Sequence, residues 1–203
     1  FLSRTNLAVL FALCMIGGFL CSRVLLSLSM MLFGINALRG IHPRAWLRQR
    51  WWLLGLLWIG MYALSWFWSD DKVFWHERIQ TKLPFLLLPL AFGLLPAFSR
   101  KQLQWYTVGL CLILLSGIGY SLGFLIGDPA TYVEGYTRSH VLPTPTYRDH
   151  IRFSMAVALS AGWCLYILPE LRGRYTKILV QLSIGIFAVY LHILAAKTGL
   201  IAF

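Results

Sequence analysis

A chain of 203 residues that is 59% hydrophobic and 12% charged, with a mean hydropathy of +0.70, falls outside the class of water-soluble domains. Its net charge of +11 lies mostly in loops between long apolar runs, so it points to membrane topology and away from nucleic acid as a partner. A bilayer crossing takes roughly 20 apolar residues per helix. Such runs recur along the chain, which excludes a cleaved signal peptide followed by a soluble domain.

Leu7 to Ala37 is apolar for longer than one upright helix requires, with breaks at Gly17-Gly18 and at Cys21-Ser22-Arg23. The breaks predict two short helices, about 5–20 and 24–38, with Arg23 at the turn; one long tilted helix is the alternative. Arg39, Arg44, Arg48 and Arg50 follow without an acid, and then Trp51 to Trp68 forms a span with tryptophans at both edges. Ser69 to Lys82 is polar and mixed in charge. Leu83 to Phe98 is apolar but holds Pro84, Pro89 and Pro96, which bend a helix and remove backbone donors.

Leu103 to Ile126 is the next span, with Gly109, Gly117, Gly119 and Gly123 offering close helix contact. Gly127 to Thr146 reads as a polar loop, 147–168 as a helix, and Ile178 to Leu194 as a further span. Ala195 to Gly199 makes a tight turn before another helix begins. The expected fold is all-α: a polytopic transmembrane helical bundle of about seven spans plus the start of another, in one domain over residues 1–203. Because the chain opens at Phe1 and stops at Phe203 inside an apolar run, it reads as a piece of a longer protein. Cys14, Cys21, Cys111 and Cys164 lie in apolar segments without a C-x-x-C pair and read as small packing residues.

The basic residues set the orientation. Arg4, the 39–50 loop, Arg100-Lys101 and the 170–177 loop share one side, with a net charge of +9; the other side carries +2. The first side is therefore assigned to the cytoplasm. On the opposite side, Tyr147-Arg148-Asp149-His150-Ile151-Arg152-Phe153-Ser154 stands at the start of a helix. Arg148 and Arg152 are four apart and share a helix face. Both sit at a positive helix end, where cations are disfavoured unless something anionic meets them. Arg78 and Lys82 repeat the spacing before another apolar helix, and Lys197 sits at a third outer turn.

Cations at three such places suit a strongly anionic group such as a pyrophosphate. Snorkelling toward headgroups, with an Asp149–Arg152 ion pair, is the competing reading. His76, His140 and His150 lack the spacing of a metal site, and no Walker loop, Rossmann glycine pattern or serine elbow is present. No metal and no cofactor are expected.

Three stretches resemble, in order and spacing, the O-antigen ligase family: Lys82-Leu83-Pro84-Phe85-Leu86-Leu87-Leu88-Pro89-Leu90-Ala91-Phe92, then Asp149-His150-Ile151-Arg152-Phe153-Ser154, then Ala195-Ala196-Lys197-Thr198-Gly199-Leu200. The resemblance implies a metal-independent glycosyltransferase of the bacterial inner membrane, with its active face in the periplasm. It implies an undecaprenyl-pyrophosphate-linked glycan as donor and lipid A-core or another glycan as acceptor, with membrane lipid around the protein. It also implies outer arginines on the donor pyrophosphate, with Arg152, Arg148, Arg78, Lys82, Lys197 and His150 as substrate-binding candidates. Lys197 stands where the family usually has arginine, keeping the charge and losing the bidentate fork. The family's general base, a histidine in a large later periplasmic loop, is expected beyond Phe203. An O-antigen polymerase, or a non-enzymatic flippase or transporter of lipid-linked glycan, is the alternative.

The charge split yields a topology test. Cysteines introduced as Arg44→Cys and Arg172→Cys should be shielded from an impermeant outside reagent, and Glu134→Cys should be labelled. Labelling of Arg44→Cys in intact cells would invert the orientation.

Overall fold

The computed structural model describes residues 3–39, 51–135, 142–146 and 149–194, the side chains of 51, 52, 54 and 133–135 excepted. Among these residues the chain is helical, with no strand. The helices are α1 (Arg4–Cys21), α2 (Arg23–Leu38), α3 (Trp51–Leu64), α4 (Lys72–Lys82), α5 (Pro84–Leu94), α6 (Arg100–Gly127), α7 (Pro129–Gly135), α8 (His150–Ile167) and α9 (Arg174–Ile193). The chain forms two compact units, one of residues 1–12 and 27–98, the other of residues 13–26 and 99–203.

Among the described residues, four helices are long and apolar enough to cross a membrane: Arg4–Cys21, Arg100–Gly127, His150–Glu170 (α8 with the 3-10 turn that follows) and Arg174–Ile193. The remaining apolar segments of the expected seven are shorter. α2 has 16 residues, α3 has 14 and α5 has 11. At 1.5 Å per residue α5 rises about 16 Å, roughly half of a hydrocarbon core. Its length is set by proline: Pro84 opens it at the first turn, Pro89 lies within it, and Pro96 follows its end.

In the first unit, Arg4 ties helix ends together. Its Nε donates to the Asn36 carbonyl at 3.1 Å, and its Nη2 donates to the carbonyls of Ala37 and of Leu94. These carbonyls belong to the last turns of α2 and α5, where no intrahelical donor remains. Asn36 returns the contact, its side-chain amide donating to the Arg4 carbonyl at 2.8 Å. Elsewhere in the unit, α5 packs on α3, with Trp58 against Phe85 at 5.5 Å between ring centroids and Gly55 beside Leu86.

In the second unit, α6, α8 and α9 surround a core of Leu110, Leu114, Ile118, Phe153, Val157, Val180 and Phe187. Glycine admits close approach at two of the four expected positions. A Cβ on Gly117 would stand 3.1 Å from the Phe153 ring, and one on Gly109 would press on Leu13; Gly119 and Gly123 face open space. The expected polar loop after α6 is more structured than its composition suggests. α7 forms within it, and residues 142–146 are irregular and end in a bend, with Leu142, Thr144 and Thr146 buried.

The two-helix reading of the N-terminal stretch holds, with the break at Ser22 between α1 and α2. The chain folds back so tightly there that a Cβ on Gly18 would lie 2.5 Å from the Leu26 amide nitrogen, while one on Gly17 would touch nothing. Gly18→Ala is therefore expected to destabilise by about 1–3 kcal/mol, the usual cost of overpacking. Gly17→Ala should be neutral or stabilising, since alanine suits a helix better than glycine. Thermal unfolding of both variants in detergent decides; equal behaviour would mean that the turn is not this close.

Candidate functional site

The entrance to α8 is built by the segment that precedes it. The Tyr190 hydroxyl donates to Ser121 Oγ at 2.9 Å, and Ser121 donates to the Pro143 carbonyl at 2.7 Å. Proline leaves no amide to satisfy at 143 or 145, so the segment's need for partners is small. Thr146 then closes the turn: its hydroxyl donates to the Asp149 carbonyl at 2.9 Å, and the Asp149 amide donates to the Thr146 carbonyl at 2.8 Å.

Asp149 is the N-cap of α8, with one carboxylate oxygen accepting from the Arg152 amide at 3.3 Å. Its other oxygen meets Arg152 Nε at 2.9 Å. The ion pair named with the snorkelling reading is thus present, and the same carboxylate also caps the helix. A cation at the third position of a helix opposes the macrodipole, and a carboxylate at the cap offsets that cost. Engaging Arg152 through Nε leaves its two terminal nitrogens for another acceptor. The side chain is 72% exposed, so it is well placed to be met from outside. His150, the first residue of α8, is half-buried beside it.

Of the other candidates, Arg148 and Lys197 lie outside the described residues. Arg78 and Lys82 belong to the first unit, and Lys82 stands just before α5, which opens at Pro84, as the sequence suggested. They occupy the second half of α4, with Lys82 in its last turn, between the negative end of α4 and the positive end of α5. Each also lies over an aromatic ring. Lys82 Nζ is 3.3 Å from the Tyr62 ring centroid and 5.3 Å from that of Trp58, and the Arg78 guanidinium carbon is 4.7 Å from that of Phe74. Lys72 on the same helix lies over Trp66. Cation–π contact of this kind contributes about 0.5–2 kcal/mol. Sequence reading missed it because the rings come from α3 as well as from α4.

Sequence reading also missed Ser121 and Tyr190, which appear in the sequence as ordinary span residues. Among the described residues, no three His, Cys, Asp or Glu side chains stand together as metal ligands. Asp128, between α6 and α7, has its carboxyl held below the usual range by the Thr131 hydroxyl and backbone amide. No family model matches the chain, and no curated protein or solved structure matches it either.

Asp149 has two roles, and two variants separate them. Asp149→Ala removes cap and ion pair together and should cost about 1 kcal/mol or more. Asp149→Asn keeps a good cap and loses only an exposed ion pair, which is worth little. Its melting temperature should therefore stay near that of the parent. An asparagine variant as unstable as the alanine variant would make the ion pair, not the cap, the stabilising contact.

Proposed function

We propose that this chain belongs to a multi-pass inner-membrane glycosyltransferase that moves a glycan from an undecaprenyl-pyrophosphate carrier to a lipid A-core or similar acceptor at the periplasmic face. The observation that carries the reading is Arg152, held through Nε by the helix-capping Asp149 with its terminal nitrogens exposed. The resemblance of the segment Asp149–Ser154 to the O-antigen ligase family supports it from the sequence side.

The chemistry asked of the site is modest. Attack by an acceptor hydroxyl at the anomeric carbon forms the new glycosidic bond and breaks the bond to the carrier's pyrophosphate. Negative charge gathers on the leaving oxygen, and a positioned cation stabilises it. A guanidinium with two free terminal nitrogens can grip phosphate through a pair of parallel hydrogen bonds. The first-turn amides of α8 add positive potential to the same place. The proton of the acceptor hydroxyl goes to a general base, a role assigned to no residue of this sequence.

A hydrogen bond to a charged group contributes roughly 1.5–3 kcal/mol. Arg152→Ala should therefore weaken donor binding by about ten- to a hundredfold in the full-length purified protein. Arg152→Lys should recover part of it, since the charge remains and the fork is lost. Melting temperatures measured alongside separate binding from folding. If the alanine variant binds undecaprenyl-pyrophosphate glycan as tightly as the parent, the donor site is elsewhere. If lysine serves fully as well as arginine, Arg152 is a snorkelling residue.

A further inference from the structure

Two depressions on the second unit meet along α9. The first, about 720 Å³, is lined by Arg172, Arg174 and Lys177 and reaches Ile178 and Gln181. The second, about 440 Å³, starts again at Gln181 and continues past Leu182, Gly185, Ile186 and Val189, with Leu122 of α6 beside it. A cationic hollow and an apolar groove thus lie one after the other along α9, with Gln181 lining both. We propose that this pair is the seat of one anionic glycerophospholipid, with its phosphate on the three cations and an acyl chain in the groove.

The charge at the head of the seat is uncompensated. Arg172, Arg174 and Lys177 are exposed, and among the described residues none of them has a carboxylate within salt-bridge distance. The N-cap of α9 is Gly173, which offers no side-chain cap. Two of the three cations therefore sit in the first turn of a helix whose end is already positive, an arrangement that an anion relieves. The Gln104 side chain of α6 donates to the Arg172 carbonyl at 3.0 Å and to Thr176 Oγ1 at 2.9 Å, which fixes the hollow to the helix next to it.

The apolar part has the dimensions of a lipid tail. Ile178, Leu182, Ile186 and Val189 form one exposed row on α9. The row rises about 16 Å at 1.5 Å per residue, close to one leaflet of a core roughly 30 Å thick. Gly185 widens the groove, since a Cβ there would meet nothing within 4 Å. Trp105 and Tyr175 stand exposed at the cationic end, where interfacial aromatics gather. Free phosphate, or a short carboxylate, would leave the groove empty. The seat is separate from Arg152, which lies at the other end of α8 from the turn that leads to α9.

A juxtamembrane cation contributes about fivefold in affinity for anionic lipid. The test uses native mass spectrometry of the purified chain in detergent, titrated with phosphatidylglycerol, with phosphatidylcholine of the same chains, and with dihexanoyl phosphatidylglycerol. The parent should retain long-chain phosphatidylglycerol at least about tenfold better than phosphatidylcholine. The triple variant Arg172→Gln, Arg174→Gln, Lys177→Gln should bind the two alike. Gly185→Leu should weaken both long-chain lipids and leave the dihexanoyl lipid unaffected, with the melting temperature measured in the absence of lipid unchanged in both variants. Equal retention of the two headgroups by the parent, or a preference that survives in the triple variant, overturns the headgroup assignment. Dihexanoyl phosphatidylglycerol binding as tightly as the long-chain lipid overturns the groove.

Discussion

Backbone polar groups that leave helical geometry inside an apolar unit must find partners within the protein, and the second unit depends on how residues 142–146 meet that demand. An irregular stretch with Leu142, Thr144 and Thr146 buried is costly unless each polar group is answered. The two prolines remove two donors. Ser121 answers the Pro143 carbonyl, and Tyr190 holds Ser121 in place from α9. The stretch then delivers Thr146 to Asp149, and Asp149 to the cap of α8. The position of Arg152 is thus set by hydrogen bonds that begin on two other helices.

The helices were legible in the sequence, and the reasons are physical. α6, α8 and α9 are long apolar runs bounded by charge, and Gly17-Gly18 with Ser22 marks the fold-back between α1 and α2. The Asp149–Arg152 pair was legible too, from a carboxylate three residues before a cation at a helix start, whereas the cap that the same carboxylate forms was not read from the sequence. What could not be read was the buried, irregular segment 142–146. Leu-Pro-Thr-Pro-Thr has the composition of a surface loop, and only the tertiary partners Ser121 and Tyr190 make its burial affordable. Nor does composition tell which glycines face a neighbour: Gly117 meets Phe153, and Gly119, two residues on, meets nothing.

Arg78 and Lys82 show why a spacing pattern alone does not identify an anion seat. Their four-residue interval is that of Arg148 and Arg152, and both pairs adjoin an apolar helix. The difference lies in the helix end and in the neighbours. Lys82 lies between two helix ends of opposite sign and on the Tyr62 ring, so its charge is already favoured by the ring's quadrupole. Arg152 begins a helix, where the dipole opposes it, and Asp149 engages it through one nitrogen only.

The same criterion separates the cations at the start of α9. They share with Arg152 a position at a positive helix end but have no Asp149 equivalent, since Gly173 stands at the cap. Glu170, the only acid between α8 and α9, does not approach them within salt-bridge distance among the described residues. A protein that keeps three uncompensated cations beside an apolar groove bears that repulsion at every moment it lacks an anion. Near an anionic leaflet the repulsion becomes attraction, and the groove determines which anion can stay: one that brings its own hydrocarbon.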